Sequence, residues 1–235
     1  MANLLIGRIA NIICGVLSSA ELSTGGPKRV RKSPEARRAE IVAAAAAIAL
    51  AEGLECITLR RVADELAVRP GLINHYFAVA EELVAEAFGA AASAELEELI
   101  PAGRPPDRAL PDLARFFSLT AGTRWDEMSR LWLNARHLSR YRPALRDRVA
   151  QQEALWRDRL SGVIADGAAA GTFRVRDPEL AAIEILVVLD GLGAHANTDR
   201  SDRPPAVADL AVLTAERVLD LPAGTLTARP GEARP

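Results

Sequence analysis

Thiols, imidazoles and aromatic rings are all scarce in this chain. Two cysteines, three histidines and ten aromatic residues are spread over 235 positions. Cys14 and Cys56 lie far apart with no metal-ligand spacing around them, which argues against a disulfide framework and fits a reducing compartment. His75, His137 and His195 are equally scattered. No His-Glu pair stands at metal-binding spacing and no nucleophile elbow is present, so no catalytic residue, metal or cofactor is expected. The glycines of "GLGAHA" at 191–196 fall inside a helical pattern rather than after a strand, which removes them as a phosphate loop.

Long uninterrupted apolar runs are missing too. The first 25 residues, "MANLLIGRIANIICGVLSSAELSTG", are apolar and "LSSA" imitates a small-residue cleavage site. Yet the start carries no positive charge, Arg8 breaks the run, and what remains is too short to span a bilayer. Residues 1–27 are therefore expected to be a disordered extension, and the protein to be cytoplasmic with no membrane association. A strong charge of either sign is also lacking, the net being −2. That figure conceals an asymmetry. Residues 1–80 hold ten Lys/Arg against seven Asp/Glu, while 81–235 hold nineteen against twenty-four. A basic front and an acidic rear place any polyanion contact at the front.

What the chain has in abundance is alanine and leucine at helical spacing, with no persistent strand-like alternation. The fold class is all-α. A basic arm, "KRVRKSPEARR" at 28–38, leads in. Ser33 can cap a helix that Pro34 starts and Glu35 favours through the helix dipole. Ile41, Ala45, Ile48 and Ala49 make its apolar stripe and Gly53 its stop. Thr58 opens a second helix with Leu59, Val62, Ala63 and Leu66 turned inward. Ala67-Val68 connects to a third, short helix from Arg69-Pro70-Gly71 to about His75. The last two form a helix-turn-helix shape. A further helix runs from Glu81 to about Leu99, and "PAGRPP" at 101–106 is the clearest break. Helices are then expected near 107–121, 124–138, 143–170, 178–197 and 204–220, with Asp177-Pro178 capping the fourth. The domains follow as a helix-turn-helix domain at 28–80, a helical bundle at 81–221 and a flexible tail at 222–235.

The window 58–77, "TLRRVADELAVRPGLINHYF", crowds basic and planar groups onto this shape. A helix of this kind fits the major groove of double-stranded DNA. Thr58, Arg60 and Arg61 can hold backbone phosphates. Arg69, Gly71, Asn74 and His75 lie on or beside the candidate recognition helix, with Gly71 allowing close approach and Asn74 able to pair with an adenine edge. Tyr76 offers its phenol to a phosphate at the helix exit. A plain three-helix scaffold with charged solvent faces has the same pattern.

Together with "EARRAEIVAAAAAIALAEGLECI" before it and "EELVAEAF" after it, this window resembles the DNA-binding domain of TetR-family bacterial transcriptional repressors over about residues 35–88. The later stretch from "RLWLNARHLSRYRPALRDRV" to "GLGAHA" resembles the BetI-like branch more loosely. The resemblance implies a repressor that binds a palindromic operator as a homodimer and is released by a small-molecule effector in its C-terminal domain. It also implies a phosphate-contacting lysine three residues after Phe77. That position is Ala80, so one phosphate contact and about one unit of salt dependence are expected to be missing. The basic arm can compensate.

For the rear bundle the resemblance implies pairing of the last long helices between two copies, with Leu186, Asp190, Gly191 and Ala194 as the candidate interface. The same stripe also fits an intramolecular core. Phe116, Phe117, Trp125, Trp132 and Trp156 can line an apolar effector pocket, with Asn134 as a polar anchor, or simply fill the core. Two other readings stay open: a TetR-fold protein acting through protein contacts without DNA, and an all-α enzyme.

Overall fold

The computed structural model describes residues 33–120, 123–198, 207 and 209–227. The basic residues Lys28, Arg29, Arg31 and Lys32 and the expected extension at 1–27 lie outside them. Among the described residues there are nine α-helices and no strand: α1 Pro34–Glu52, α2 Leu59–Glu65, α3 Pro70–Tyr76, α4 Ala80–Leu99, α5 Ala109–Leu119, α6 Thr123–Ser139, α7 Pro143–Ala169, α8 Pro178–Thr198 and α9 Leu210–Val218. They group into two compact units. The front unit holds 33–94 and Asn134–Val149, and the rear unit Glu95–Leu133 and 150–227. The boundary expected at 80/81 is displaced, because most of α4 and a stretch of α6 and α7 pack with the front helices. Helices continue through a domain boundary wherever their apolar faces find partners, which local turn signals do not register.

In the front unit, Ser33 Oγ accepts the Ala36 N–H at 3.1 Å to open α1 with Pro34 in its first turn. Ile41, Ala45, Ile48 and Ala49 are all buried, as their spacing predicts. Gly53 stops the helix at φ 108°, a backbone setting that side chains resist, and a 3-10 turn over Leu54–Cys56 follows. Thr58 Oγ1 accepts the Arg61 N–H at 3.0 Å as the cap of α2. The link from α2 to α3 turns at Ala67, which has φ 51°, at a cost of about 1 kcal/mol for a residue with a Cβ. The Val68 N–H closes that turn on the Ala63 carbonyl at 2.9 Å. Leu54, Val62, Ile73, Phe77, Leu83, Phe88, Ala135 and Leu145 complete a core with 2% exposure or less.

The rear unit is built on one apolar cluster drawn from α4, α5, α7, α8 and α9. Gly167 is forced by packing, since a Cβ there would stand 2.2 Å from the Phe173 ring. Gly171 ends the long α7 at φ 72°, and the N–H groups of Thr172 and Phe173 bond back to the Gly167 carbonyl. Asp177 Oδ1 caps α8 through the Leu180 N–H at 3.0 Å. Arg104, tucked under the 101–105 loop, pairs with Asp166 and Asp112.

Residues 222–227 depart from the expected tail. Leu226 joins the rear core with 4% exposure. Glu216, with 3% exposure, accepts the Gly224 N–H at 3.0 Å and the Leu226 N–H at 2.8 Å. A buried carboxylate with two backbone donors holds a loop firmly, because removing it strands both donors. Glu216→Ala is therefore expected to cost about 3 kcal/mol in urea unfolding and to expose 222–227 to proteolysis. An unchanged midpoint would show that Leu226 packing alone holds the segment.

Candidate functional site

The helix-turn-helix presents a mixed surface, and burial decides what it can offer. Ile73 and Phe77 are fully buried, which sets the rotation of α3. Gly71, Asn74 and His75 then fall on its exposed side, with Tyr76 half-buried at the exit and packed edge-on to His75 at 5.3 Å. Arg69, at the cap of α3, is exposed, as are Thr58 and Arg60 on α2. The Thr58 hydroxyl accepts the capping N–H and so keeps its proton for an outside acceptor. The expected set of Thr58, Arg60, Arg69, Gly71, Asn74, His75 and Tyr76 thus belongs to one contiguous element pair.

Arg61 behaves differently. Its guanidinium reaches Glu52 at 2.6 Å and Glu65 at 2.7 Å, tying the end of α1 to α2. Hydrogen bonds to both carboxylates, Glu52 first, hold its proton more firmly than usual. It is a strut of the fold rather than a free cation. Arg38 is held likewise, in a two-point pair with Glu86 and 4.8 Å over the Phe77 ring, beneath α3. Sequence reading misses both, since charge counts carry no partner information. At the start of α4, Ala80 is followed by the exposed Glu81 and Glu82, so the amide end of that helix faces carboxylates of its own.

In the rear unit, Phe116, Phe117 and Trp156 come together in the core. Phe116 stands 5.0 Å from Phe117 and 6.5 Å from Trp156, all three with 7% exposure or less. Trp125 and Trp132 pack half-buried against the same cluster. The Trp156 indole Nε1 is buried without a hydrogen-bond partner among the described residues. Asn134 does not join them. It lies in the front unit, where its Oδ1 accepts the Leu54 N–H at 2.9 Å and its Nδ2 donates to Glu55 at 2.9 Å. Two residues after Trp132 along α6, it is turned from that side chain by about 200° of helical rotation.

One rear residue escapes sequence reading entirely. Glu95 is buried with 8% exposure and accepts the Trp132 Nε1–H at 3.0 Å. Burial pushes its carboxyl up to about 7, against the opposing pull of Trp132 and Arg124 and with Asp190 adding to the rise. Its register gives it away, four residues after Ala91 and four before Leu99 on the apolar face of α4. Leu186 is half-buried against the rear core, while Asp190 and Gly191 are exposed and Ala194 half-buried.

Residues 112–219 match the family described as the C-terminal domain of BetI-type transcriptional repressors, a TetR class. The rear stretch therefore matches a TetR-class domain, and the fold is one shared with solved TetR-family regulators. A TetR-family regulator from Rhodococcus sp. superposes with TM-score 0.65 at 22% identity, covering 78% of this chain and 98% of that one. A transcriptional regulator from Pseudomonas aeruginosa PAO1 does so with TM-score 0.63 at 24% identity, covering 85% and 97%. A third, from Saccharomonospora viridis and in complex with choline, has TM-score 0.60 at 20% identity, covering 77% and 94%. No curated protein sequence matches the chain. Among the described residues, no helix is long and apolar enough to cross a membrane.

The front unit depends on the 3-10 turn between α1 and α2 staying in place, and Asn134 is the side chain that holds it. Asn134→Ala leaves the N–H of fully buried Leu54 without its acceptor, and a loss of about 1–3 kcal/mol in chemical unfolding is expected.

Proposed function

We propose that this TetR-family regulator is a DNA-binding repressor that grips a palindromic operator as a homodimer and is released when a small molecule binds its rear unit. One observation carries the reading. Ile73 of the short α3 and the Phe77 that ends it are completely buried, while Gly71, Asn74 and His75 are exposed, as are Arg60 and Arg69. Nothing lies within 4 Å of a Cβ built on Gly71, so the chain's own packing has no need of glycine there. A surface approaching from outside would have that need.

The dimer is supported by an apolar stripe on α8 and α9. Leu180, Ile183 and Val187 recur at helical spacing and are exposed, Val187 to 62%, beside the exposed Leu210 and Leu213 of α9. Two copies related by a two-fold axis would cover this stripe with itself. A palindromic operator presents its half-sites about 34 Å apart, one turn of DNA, and so calls for two recognition helices. The interface centres on Leu180, Ile183 and Val187 and reaches Asp190, Gly191 and Ala194 further along α8. Leu186 belongs to the core side of that helix. The effector meets the cluster of Phe116, Phe117, Trp125, Trp132 and Trp156, whose indole faces suit an organic cation such as the choline held by the Saccharomonospora viridis relative. The alternative, a regulator acting without DNA, is favoured by Ala80 and the acidic turn behind it.

A gel-shift assay with the intergenic DNA upstream of the chain's own gene separates the two. Salt-sensitive, sequence-selective binding supports the repressor, and no shift at low salt removes it. Within a shifting complex, Arg60→Ala is expected to lower the salt slope by about one unit, while Arg61→Ala leaves the slope alone. Gly71→Ala should keep the melting temperature and lose operator affinity. Asn74→Ala should cost about 1–3 kcal/mol and relax selectivity at one base pair. For assembly, Val187→Glu is expected to turn a dimer into a monomer by analytical ultracentrifugation and to weaken operator binding with it. A dimer that survives both Val187→Glu and Leu213→Glu would place the interface elsewhere.

A further inference from the structure

A buried carboxylate is stable in its charged form only if a cation or several hydrogen-bond donors compensate it. Glu95 lacks that compensation in the rear unit. Among the described residues its one hydrogen bond comes from the neutral indole of Trp132, and no Lys or Arg forms an ion pair with it. The cation that acts on it is Arg124 on α6, whose guanidinium makes a two-point pair with Glu98, one turn along α4 from Glu95. From α8, Asp190 adds a second negative charge to the surroundings of Glu95. The groups facing Glu95 are thus a neutral donor and a shared cation on α6, an anion on α8, and an anion on its own helix that holds the shared cation. Three helices meet around a carboxyl that is short of positive charge.

We propose that Glu95 is a proton-binding site built into the rear unit, and that its occupancy sets how firmly α4, α6 and α8 hold together. A carboxyl group with a proton is neutral, still accepts the Trp132 N–H, and sits beside Asp190 without repulsion. Loss of the proton leaves a charge buried in an apolar wall, opposed by Asp190 and only partly offset by Arg124. The bond made and broken is O–H, with water or buffer as the proton acceptor.

The sign follows from the direction of the shift. In the unfolded chain the carboxyl releases its proton near 4.5, whereas in the fold it keeps it to about 7. The folded state binds the extra proton between these values, so this contribution to stability is complete below about pH 4.5. It declines as the pH rises and is lost above about 7. The site is poised where small changes in cytoplasmic pH alter its occupancy. The site itself is independent of the repressor reading. Only the further step, a change in operator affinity with pH, rests on that reading.

The test is thermal melting of the full chain from pH 5.5 to 8.5, read by tryptophan emission in the absence of DNA. The wild type is expected to show a step in melting temperature, falling from pH 5.5 and levelling off near pH 7. Glu95→Gln, a permanently neutral isostere, should remove that step and melt above the wild type at pH 8.5. Asp190→Asn removes the repulsion and should move the step to lower pH. Trp132→Phe removes the donor and should move it to higher pH. Differences between the four proteins, rather than any single curve, isolate the Glu95 contribution. A step that persists unchanged in Glu95→Gln overturns the proposal. So does a step that neither Asp190→Asn nor Trp132→Phe moves, and this second comparison stands even if Glu95→Gln fails to fold.

Discussion

The complete burial of Ile73 and Phe77 is the constraint on which the functional surface depends. Seven residues of helix make too few internal hydrogen bonds to be stable alone, so α3 exists because tertiary packing holds it. Those two side chains choose its rotation, and rotation decides which residues meet solvent. Arg38 lies over the Phe77 ring while paired to Glu86 of α4. One cation thereby closes the apolar seat of α3 and neutralises a carboxylate beneath it. The surface formed by Gly71, Asn74 and His75 is a consequence of this seat.

Local chemistry was legible in the sequence where a side chain acts on its own backbone. Ser33, Thr58 and Asp177 cap the helices they were expected to open, and Pro34 and Gly53 bound α1. The α6, α7 and α8 ranges were read to within about a residue or two. Illegible were the pairings made across long stretches of chain. Asn134 finds Leu54, Trp132 finds Glu95, and Glu216 captures 224–226, each across a separation or in a direction that composition does not encode. The rings of Phe116, Phe117 and Trp156 meet in the rear core. Their spacing on amphipathic helices fixed only that they face inward, which a core and a pocket share.

Net charge shows the same limit. The basic surplus of residues 1–80 suggested a positive front. Over residues 33–80, however, five Lys/Arg stand against six Asp/Glu. Arg37 pairs with Glu40, Arg38 with Glu86, and Arg61 with both Glu52 and Glu65. Surface pairs of this kind contribute little to stability, but they remove positive potential from the places where they form. The surplus is confined to residues 1–32, with five Lys/Arg against one Asp/Glu.

This distribution divides the work of any polyanion contact. A helix-turn-helix surface whose exposed cations are Arg60 and Arg69 has geometry suited to reading base edges, and little charge with which to draw a duplex in. Electrostatic attraction depends on the number of phosphates neutralised, whatever the sequence between them. On the repressor reading, then, selectivity resides in α3 and most of the affinity in the segment that precedes α1. Ser33, which caps α1, is where the basic residues give way to the first helix in sequence. The absence of a lysine at position 80 is then a modest loss, because the acidic first turn of α4 already makes that helix end a poor place for phosphate.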